Sequence, residues 1–448
     1  MQIAWSKPLF SWEELEDNPS LHTVKELLAI IPDGPLLDAL HQGRGRGRND
    51  YPVTTLWGVC LLRVILRHST IEACLAELHR NVGLRELIGI ESEAGIPQKW
   101  NVSRFLAVLG QEPFRTLSHQ AFDVLAHRLC VAVPELGRNL AGDSTTLNAR
   151  PQKGKPAAED LPAPTGGRKE YTDEAGAVVK VHEWFGYKLH LGVDVKHEVA
   201  LSWEITTATA SDGATIPALL AGTDRVVPAG RIQTLAYDKA ADDEKVHEQL
   251  QKRQIRPVIE IRSMWNDELE RQVPGTENSP TPLYYDEAGT VYCYNMVPKT
   301  PVRHDMAYVG YEKARQCLKY RCPARQKNWR CPSEKRCGQG RTWGLTVRIP
   351  QELDLRRFPA VPRATKKFER LYKGRTAVER INARLKVFWG ADDGNVTGPH
   401  RFWANVSVVM LVHLAFATLL AKAPRRNGPL GKLRLGPIQK ALAQATGT

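Results

Sequence analysis

One segment constrains the fold of this chain more than any other: residues 371–388, LYKGRTAVERINARLKVF. At about 100° per residue, an α-helix here would gather an acid, two bases and a phenol within an arc of roughly 60°: Glu379, Arg375, Lys386 and Tyr372. The opposite side would be apolar, as in a helix that packs on a core: Val378, Ile381, Leu385 and Phe388. We therefore predict a single amphipathic helix over this segment.

The polar face of this helix has two interpretations. Charged residues four apart, such as Arg375 and Glu379, stabilise an ordinary solvent-exposed helix. An acid among bases also suits a site that holds a metal ion and a phosphate. The choice between them depends on what the rest of the chain supplies.

The spacing of the four polar residues matches a known signature. From Tyr372 to Lys386 it is Y-x2-R-x3-E-x6-K. It resembles the signature of the DDE transposases of bacterial insertion sequences, and the similarity covers residues 35–420. The resemblance implies a ribonuclease-H-like core in which Glu379 is the third member of a metal-binding acidic triad.

The composition permits a large globular fold and favours an anionic partner. The 448 residues are 42% hydrophobic, which is enough for two or three domains with a sizeable core. The formal net charge is +13 and the pI is about 9.3, which points to a polyanion. The resemblance implies that this polyanion is double-stranded DNA, both transposon ends and target.

Two segments bear on the location of the protein. The N-terminus, MQIAWSKPLFSWEELED, lacks the basic and apolar regions of a secretory signal. Residues 402–421 are long and apolar enough to span a membrane, but polar residues such as Asn405 and His413 interrupt them. We predict a buried core helix at 402–421 and a cytoplasmic, nucleoid-associated protein without a membrane partner.

The first 135 residues are predicted to be helical, in several short helices. This part resembles the N-terminal helical domain of the same transposases, which implies DNA binding; a purely structural bundle is the alternative. The stretch GRGRGRND at 43–50 carries Arg44, Arg46 and Arg48. These arginines either contact DNA phosphates or belong to a solvated loop.

At residue 138 the pattern changes from helix to strand. RNLAGDSTTLNA places Asp143 in the middle of a strand, where a carboxylate is costly unless it is paired or bound to metal. Residues 151–180 are rich in Pro, Gly, Lys and Glu and are predicted to be a mobile loop. Residues 185–195 and 198–206 are predicted to form a β-hairpin beside the first strand.

Residues 231–261 read as strand, helix and strand. Asp238 ends the first of these strands, where α/β sheets present ligand-binding groups, and Asp242 is the fallback for this role. The simpler role for Asp242 and Asp243 is to complement the dipole at the start of the helix. The order of three strands, helix, strand, helix and strand is that of a ribonuclease-H-like core. We therefore predict an α/β fold with a mixed sheet.

Residues 262–365 are predicted to be an insertion, which members of the transposase family often carry before the last catalytic helix. It holds five of the eight cysteines. Two interpretations are open: reduced structural thiols, or a zinc site with Cys317, Cys322, Cys331 and Cys337 as ligands. Cys293 is the alternative to Cys317. The other three cysteines are predicted to be core thiols: Cys60, Cys74 and Cys130.

The predicted parts of the chain follow from these boundaries. They are a helical DNA-binding domain at 1–135, the first part of the catalytic core at 136–261, the Cys-containing basic insertion at 262–365, the last part of the core at 366–421, and a basic tail at 422–448.

The resemblance also implies a mechanism. Asp143, Asp238 and Glu379 would hold Mg²⁺ or Mn²⁺ for strand cleavage and strand transfer at the inverted-repeat ends. Arg375, Lys386 and Tyr372 would bind DNA phosphates, and a homodimer would act on paired ends. A nuclease of the same fold that only hydrolyses DNA is one alternative, and a DNA-binding relative without catalysis is another.

Overall fold

The computed structural model describes most of the chain: residues 19–44, 50–150, 160–173, 177–265, 269–277, 281–295, 301–334, 337, 342–393, 396–422 and 428–431. The N-terminal sequence that argued against a secretory signal lies outside these ranges. So do the candidates Arg46 and Arg48 and most of the predicted basic tail.

The first part of the chain is helical, as predicted. Its helices are α1 (Pro19–Ile30), α2 (Gly34–Gly43), α3 (Val53–Ile65), α4 (Ile71–Arg80), α5 (Val82–Leu87), α6 (Lys99–Leu109) and α7 (Phe114–Ala132). Every residue of α3 except Thr54 is buried, so this helix runs through the centre of the bundle. Helix α4 begins after Thr70, whose hydroxyl accepts a hydrogen bond from the Ala73 amide at 3.1 Å.

A mixed six-stranded sheet follows the helices. Its strands and the helices between them are β1 (Asn139–Asn148), β2 (Thr165–Thr172), β3 (Val178–Asp194), β4 (Val199–Thr207), α8 (Asp212–Val226), β5 (Thr234–Tyr237), α9 (Glu244–Lys252) and β6 (Arg256–Ile259). The strand order is β2-β3-β1-β5-β6, and β4 also pairs with β3. The first strands pair antiparallel, whereas β1, β5 and β6 pair in parallel. This arrangement confirms the predicted α/β class with a mixed sheet.

Strand β3 is longer than the sequence pattern indicated. Its inner half pairs with β1, with Asp143 opposite Leu191, and its alternating apolar residues are buried as predicted. Its outer half, together with β2, forms an antiparallel ribbon. The prediction of a loop over 151–180 is therefore wrong for the ribbon, because Gly- and Lys-rich residues there are held in strands by pairing with β3 rather than by their own propensity. Residues 151–159 and 174–176 lie outside the described ranges.

The predicted insertion follows β6 and forms two small sheets. The first has the order β10-β9-β8-β7 and the second β11-β12-β13. The bounds are β7 (Glu270–Gln272), β8 (Leu283–Asp286), β9 (Val291–Asn295), β10 (Val302–Asp305), β11 (Ala307–Glu312), β12 (Cys317–Arg321), α10 (Pro323–Gln326) and β13 (Thr346–Pro350). The two sheets share an apolar core of their own, centred on residues such as Tyr285, Leu318 and Phe358.

The segment at 371–388 is helical, but it is not one regular α-helix. Helix α11 (Lys366–Tyr372) passes through a 3₁₀ turn at Lys373–Arg375 into α12 (Thr376–Ala383), and a π-helical turn covers Arg384–Phe388. The apolar face is as predicted, because Val378, Ile381 and Leu385 are fully buried. The π turn adds residues per turn and so changes the direction of the side chains that follow α12.

The last described helix, α13 (Pro399–Lys422), lies at the centre of the molecule. By length and composition it could cross a membrane, yet 83% of its most apolar window is buried inside the protein. It packs against α1, α3, α6, α7 and β4. Through it, the N-terminal helices and the mixed sheet share one hydrophobic core. The burial predicted for 402–421 is confirmed, whereas the domain boundaries stay predictions.

Candidate active site

Two carboxylates from distant parts of the chain are joined by one guanidinium group. Arg375 donates hydrogen bonds to Asp143 Oδ2 at 3.2 Å and to Glu379 Oε1 at 2.8 Å. Asp143 lies on β1, while Arg375 and Glu379 lie on the 3₁₀ turn and the first turn of α12. The buried apolar face of α12 packs on the sheet beside β1, so the polar face points at the strand that carries Asp143.

Asp143 sits where a negative charge is unfavourable. Burial in the sheet and, to a lesser degree, the nearby charge of Asp238 raise the pKa of its carboxyl to about 6. The Ser144 amide donates a hydrogen bond to Asp143 Oδ1 at 2.8 Å, which together with Arg375 counteracts this effect. A cation close to Asp143 would therefore stabilise a charge that the protein alone supports poorly.

Asp238 directly follows β5, the parallel neighbour of β1. Its Oδ1 accepts a hydrogen bond from the Ala240 amide at 2.9 Å, which fixes the carboxylate at the end of the strand. This is the sheet edge at which the sequence placed it. The effect of its charge on the pKa of Asp143 places the two carboxylates near one another.

The fallback for this second position, Asp242, has a different environment. Its side chain is fully buried and contacts His247 Nε2 at 3.0 Å, Arg356 Nη2 at 2.6 Å and Arg363 Nη2 at 3.6 Å. The Arg262 amide also donates to it at 2.8 Å. Burial alone would raise the pKa of Asp242, but these partners hold it well below its usual value. Asp242 is thus already neutralised by protein groups, whereas Asp143 and Asp238 are not neutralised to the same degree.

Asp243 has the simpler role that the sequence suggested for it. Its Oδ1 accepts a hydrogen bond from the Lys245 amide at 2.9 Å and caps the start of α9.

Tyr372 and Lys386, the other two residues of the signature, have different contacts. The Tyr372 ring stacks on Phe368, with 5.7 Å between ring centroids, and lies 5.9 Å from the Arg375 guanidinium carbon. Burial and the charge of Glu260 raise the pKa of Tyr372 to about 12. The Lys386 ammonium donates to the Thr146 carbonyl at 2.7 Å and pairs with Asp392 at 3.1 Å. From its position on the π turn, Lys386 thus faces β1, the strand that carries Asp143.

The three carboxylates have the chemistry of a site for a hard divalent ion, although they do not enclose one in this conformation. Carboxylate oxygens are the ligands that Mg²⁺ and Mn²⁺ prefer. Among the described residues, no group of three or more His, Cys, Asp or Glu side chains is arranged to hold a metal ion. Arg375 lies between Asp143 and Glu379 and balances their charge instead.

A comparison with known families identifies the chain at this point. A family model described as transposase DDE domain matches residues 137–415. The chain belongs to this family. The matched range begins just before β1 and ends within α13, so it contains all three carboxylates. None of the curated proteins matches the chain.

Sequence reasoning missed one cation of this DDE transposase. Lys169 lies on the ribbon strand β2, and its charge is close enough to Asp143 to lower the pKa of that carboxyl. The ribbon therefore contributes to the electrostatics of the site. Tyr171 and Thr172, two residue types that are enriched in strands, were the available signal in the sequence, but the surrounding Pro and Gly residues indicated a loop.

The cysteines of the insertion are grouped differently from the prediction. The thiol of Cys317 lies against the Arg315 carbonyl at 3.0 Å, apart from the others. Burial and the neighbouring thiols of Cys322, Cys337 and Cys331 together raise the pKa of Cys293 to about 12. Cys293, which the sequence left as the alternative to Cys317, therefore lies with the other three cysteines, and the hydrogen bond from Ser333 to Asn295 at 2.7 Å joins the end of β9 to this segment. Cys60, Cys74 and Cys130 are buried as predicted.

Of the three arginines predicted near residue 45, only Arg44 lies within the described ranges. Its Nη1 donates to the Tyr51 carbonyl at 2.6 Å, which closes the loop after α2. Its DNA contact stays a prediction.

Proposed function

We propose that this DDE transposase binds the inverted-repeat ends of an insertion sequence and catalyses strand cleavage and strand transfer. The observation that carries the proposal is the Arg375 bridge, which brings Asp143 and Glu379 together beside Asp238. The protein would act as a homodimer on paired ends, in the cytoplasm on nucleoid DNA.

In this proposal Asp143, Asp238 and Glu379 hold Mg²⁺ or Mn²⁺. The chemistry supplied by the bound ion is activation of the attacking oxygen and stabilisation of the leaving oxygen at the phosphodiester. Asp143 contributes most strongly, because its buried carboxylate has the most to gain from a counter-ion.

The basic and aromatic residues then position the DNA. With the carboxylates committed to a metal ion, the planar guanidinium of Arg375 would be available to hold two oxygens of a phosphate. Tyr372 lies beside Arg375 and can donate its hydroxyl proton to a phosphate, since its raised pKa keeps the hydroxyl protonated. Lys386 supports the end of β1 through the Thr146 carbonyl and so acts as a positioning residue.

A cleavage assay tests the proposal. The substrate is a labelled duplex that carries the repeat end, assayed with and without Mg²⁺ for the wild type and Glu379→Ala. We expect magnesium-dependent cutting at the end of the repeat that the variant loses by at least about a hundredfold, while binding to the end persists. Asp143→Ala and Asp238→Ala should behave in the same way.

Glu369→Ala is the matched control. Glu369 is an exposed acid on α11 that pairs with Lys373 at 2.7 Å, away from the site. It should cut like the wild type. Nicked products without joined donor–target products would indicate a nuclease that only hydrolyses. Binding without cutting under any divalent ion would indicate a DNA-binding relative without catalysis.

The cysteine cluster suggests a separate metal proposal, a structural zinc ion held by Cys293, Cys322, Cys331 and Cys337. The mutual proximity of the four thiols supports it, although they are not in coordinating positions in the described structure. Metal analysis of the purified protein tests it. We expect about one zinc ion per chain, which Cys331→Ser should remove and Cys317→Ser should retain. A purified protein without metal would instead indicate that the cysteines are reduced structural thiols.

A further inference from the structure

A cavity of about 640 Å³ separates the edge of the catalytic core from the insertion. One wall is formed by the end of α9 and the start of β6, the last strand of the mixed sheet. The other wall is formed by β11 and the turn that follows it. The cavity is therefore built from two parts of the fold that meet outside the carboxylate site.

The walls of this cavity are basic. Four exposed cations line it: Lys252, Arg256, Lys313 and Lys367. Its described lining contains no Asp or Glu, so no carboxylate in the wall offsets these charges. None of the four cations forms an ion pair with a described residue. An uncompensated cluster of this kind attracts a polyanion.

Two tyrosines complete the wall on the side of the insertion. Tyr308 is held in place because its hydroxyl donates to the Ala360 carbonyl at 3.0 Å. Tyr311 is half-buried three residues later on the same strand. Both lie close enough to Arg256 to be influenced by its charge. Cations interleaved with aromatic rings suit a sugar-phosphate backbone.

The position of Lys367 relates the cavity to the active site. Lys367 lies in the first turn of α11, and Tyr372 ends the same helix. Five residues of helix span only about 7.5 Å. A DNA backbone that passes Tyr372 therefore needs little extra length to reach the cavity.

We propose that this basic groove, lined by Lys252, Arg256, Lys313, Lys367, Tyr308 and Tyr311, binds the phosphate backbone of duplex DNA adjacent to the cleavage point. The proposal rests on the proposed function, because it assigns a path to the DNA of the same site. It requires no recognition of bases, and the groove would contribute affinity equally for every flanking sequence.

The test uses the double variant Arg256→Ala/Lys313→Ala, which removes one cation from each wall. Lys367 is left in place because it shares a helix with Tyr372. Binding is measured across a range of salt concentrations with a repeat-end duplex extended beyond the cleavage point. Two lost phosphate contacts should reduce the slope of log K against log salt by about 2.

Control measurements accompany this test. Lys196→Ala/Lys422→Ala removes the same charge from two exposed positions outside the lining of the groove and should leave the slope unchanged. A duplex that ends at the cleavage point is too short to occupy the groove, so wild type and double variant should bind it equally. Extended duplexes of unrelated flanking sequence should lose affinity to the same extent.

The proposal that the groove binds DNA would be contradicted by an unchanged salt slope on the extended duplex, or by a loss of slope that the control variant shares. Arg256 and Lys313 would then only protect an exposed edge strand and its neighbour from pairing. If Arg256→Ala disturbs folding, Lys252→Ala/Lys313→Ala provides the same test with two helix and turn residues. Failure of the wild type to cleave DNA would contradict the proposed function, whereas the salt slope would still report on the groove.

Discussion

Asp143 is half-buried and Asp242 is buried, and their surroundings shift the pKa of the two carboxyls in opposite directions. Asp242 has two arginines, a histidine and an amide as partners, and its pKa is lowered. Asp143 has one arginine and one amide, and its pKa is raised to about 6. A site that binds a cation must leave part of its negative charge uncompensated by the protein, and only the Asp143 environment does so.

His413 gives a prediction for acid stability. It lies on α13, fully buried, and its Nε2 accepts a hydrogen bond from the Ala200 amide at 3.2 Å. Burial lowers its pKa from 6.5 to about 3, so the folded protein keeps this ring neutral. Its contribution to stability is present above pH 6.5 and is lost as the pH falls, because only the unfolded chain then binds the proton.

We therefore expect the free energy of unfolding to fall between pH 6.5 and 4, with His413 contributing up to about 1.4 kcal/mol per pH unit. In His413→Gln, which keeps an acceptor for the Ala200 amide, the free energy of unfolding should depend less steeply on pH, by the equivalent of about one proton. Denaturant unfolding measures this slope. His22→Gln, at an exposed position on α1, should follow the wild type. Identical pH profiles for all three proteins would contradict the assignment.

At this scale the sequence predicted the chemistry of the residues better than their contacts. Asp143 and Asp238 were predicted from strand positions, and Glu379 from a motif. The bridge from Arg375 to Asp143 joins residues far apart in the chain, so only the packing of α12 on β1 could reveal it. Two partners of Asp242, Arg356 and Arg363, follow both insertion sheets in the chain, so the sequence near Asp242 gave no sign of them.

The helical segment that carries Arg375 and Glu379 also has contacts on the side opposite Asp143. Glu198, in the turn between β3 and β4, accepts a hydrogen bond from Arg380 Nε at 2.6 Å and another from Arg384. Its side chain is only 8% exposed and its φ is +53°, an uncommon conformation for a residue other than glycine. This clamp fixes the junction between α12 and the π turn.

Glu198→Gln should therefore weaken the clamp while preserving its shape. We expect a loss of about 1–3 kcal/mol in the free energy of unfolding, because two charge-assisted hydrogen bonds lose their anion. The measurement is denaturant unfolding. Glu369→Gln serves as the control, since its ion pair with Lys373 is exposed and should contribute little. An equal effect of both variants would show that Glu198 is not a clamp.

Secondary structure was predicted well where local sequence decides it and poorly where pairing does. The 3.6-residue period identified the buried face of α12, since Val378 and Ile381 follow it. It could not predict the π turn at Arg384–Phe388, because that turn depends on packing beyond the helix. The ribbon strand β2 was missed because its pairing with β3 outweighs its poor propensity.

The insertion is attached to the core through the Asp242 cluster. Asp242 lies at the start of α9, whereas Arg356 and Arg363 come from the end of the insertion. The insertion has a separate apolar core, so this ion-pair cluster is one of its principal attachments. Removing one partner of a buried ionic cluster leaves the others charged and unpaired.

Asp242→Ala should therefore lower the free energy of unfolding by about 3–5 kcal/mol. The adjacent Asp243→Ala removes only a helix cap and should lower it by about 1 kcal/mol. Thermal and denaturant unfolding of the two variants provide the comparison. Similar losses for both would mean that the cluster does not join the insertion to the core.

Whole-molecule organisation was predictable in outline, since the alternation of strands and helices from 138 to 261 gave the mixed sheet. The role of α13 was only half predicted. Its apolar sequence indicated burial, but nothing local to 402–421 specifies that it packs against both the N-terminal helices and β4. Such contacts depend on the complete fold.

The position of α13 near the end of the chain has a consequence for how the protein is made. The N-terminal helices leave the ribosome first, yet the helix that fills the space between them is translated after the sheet and the whole insertion. At about 5–20 residues per second, this delay is on the order of tens of seconds. Glu379 is also late, so the three carboxylates and the finished core come together only after most of the chain has been translated.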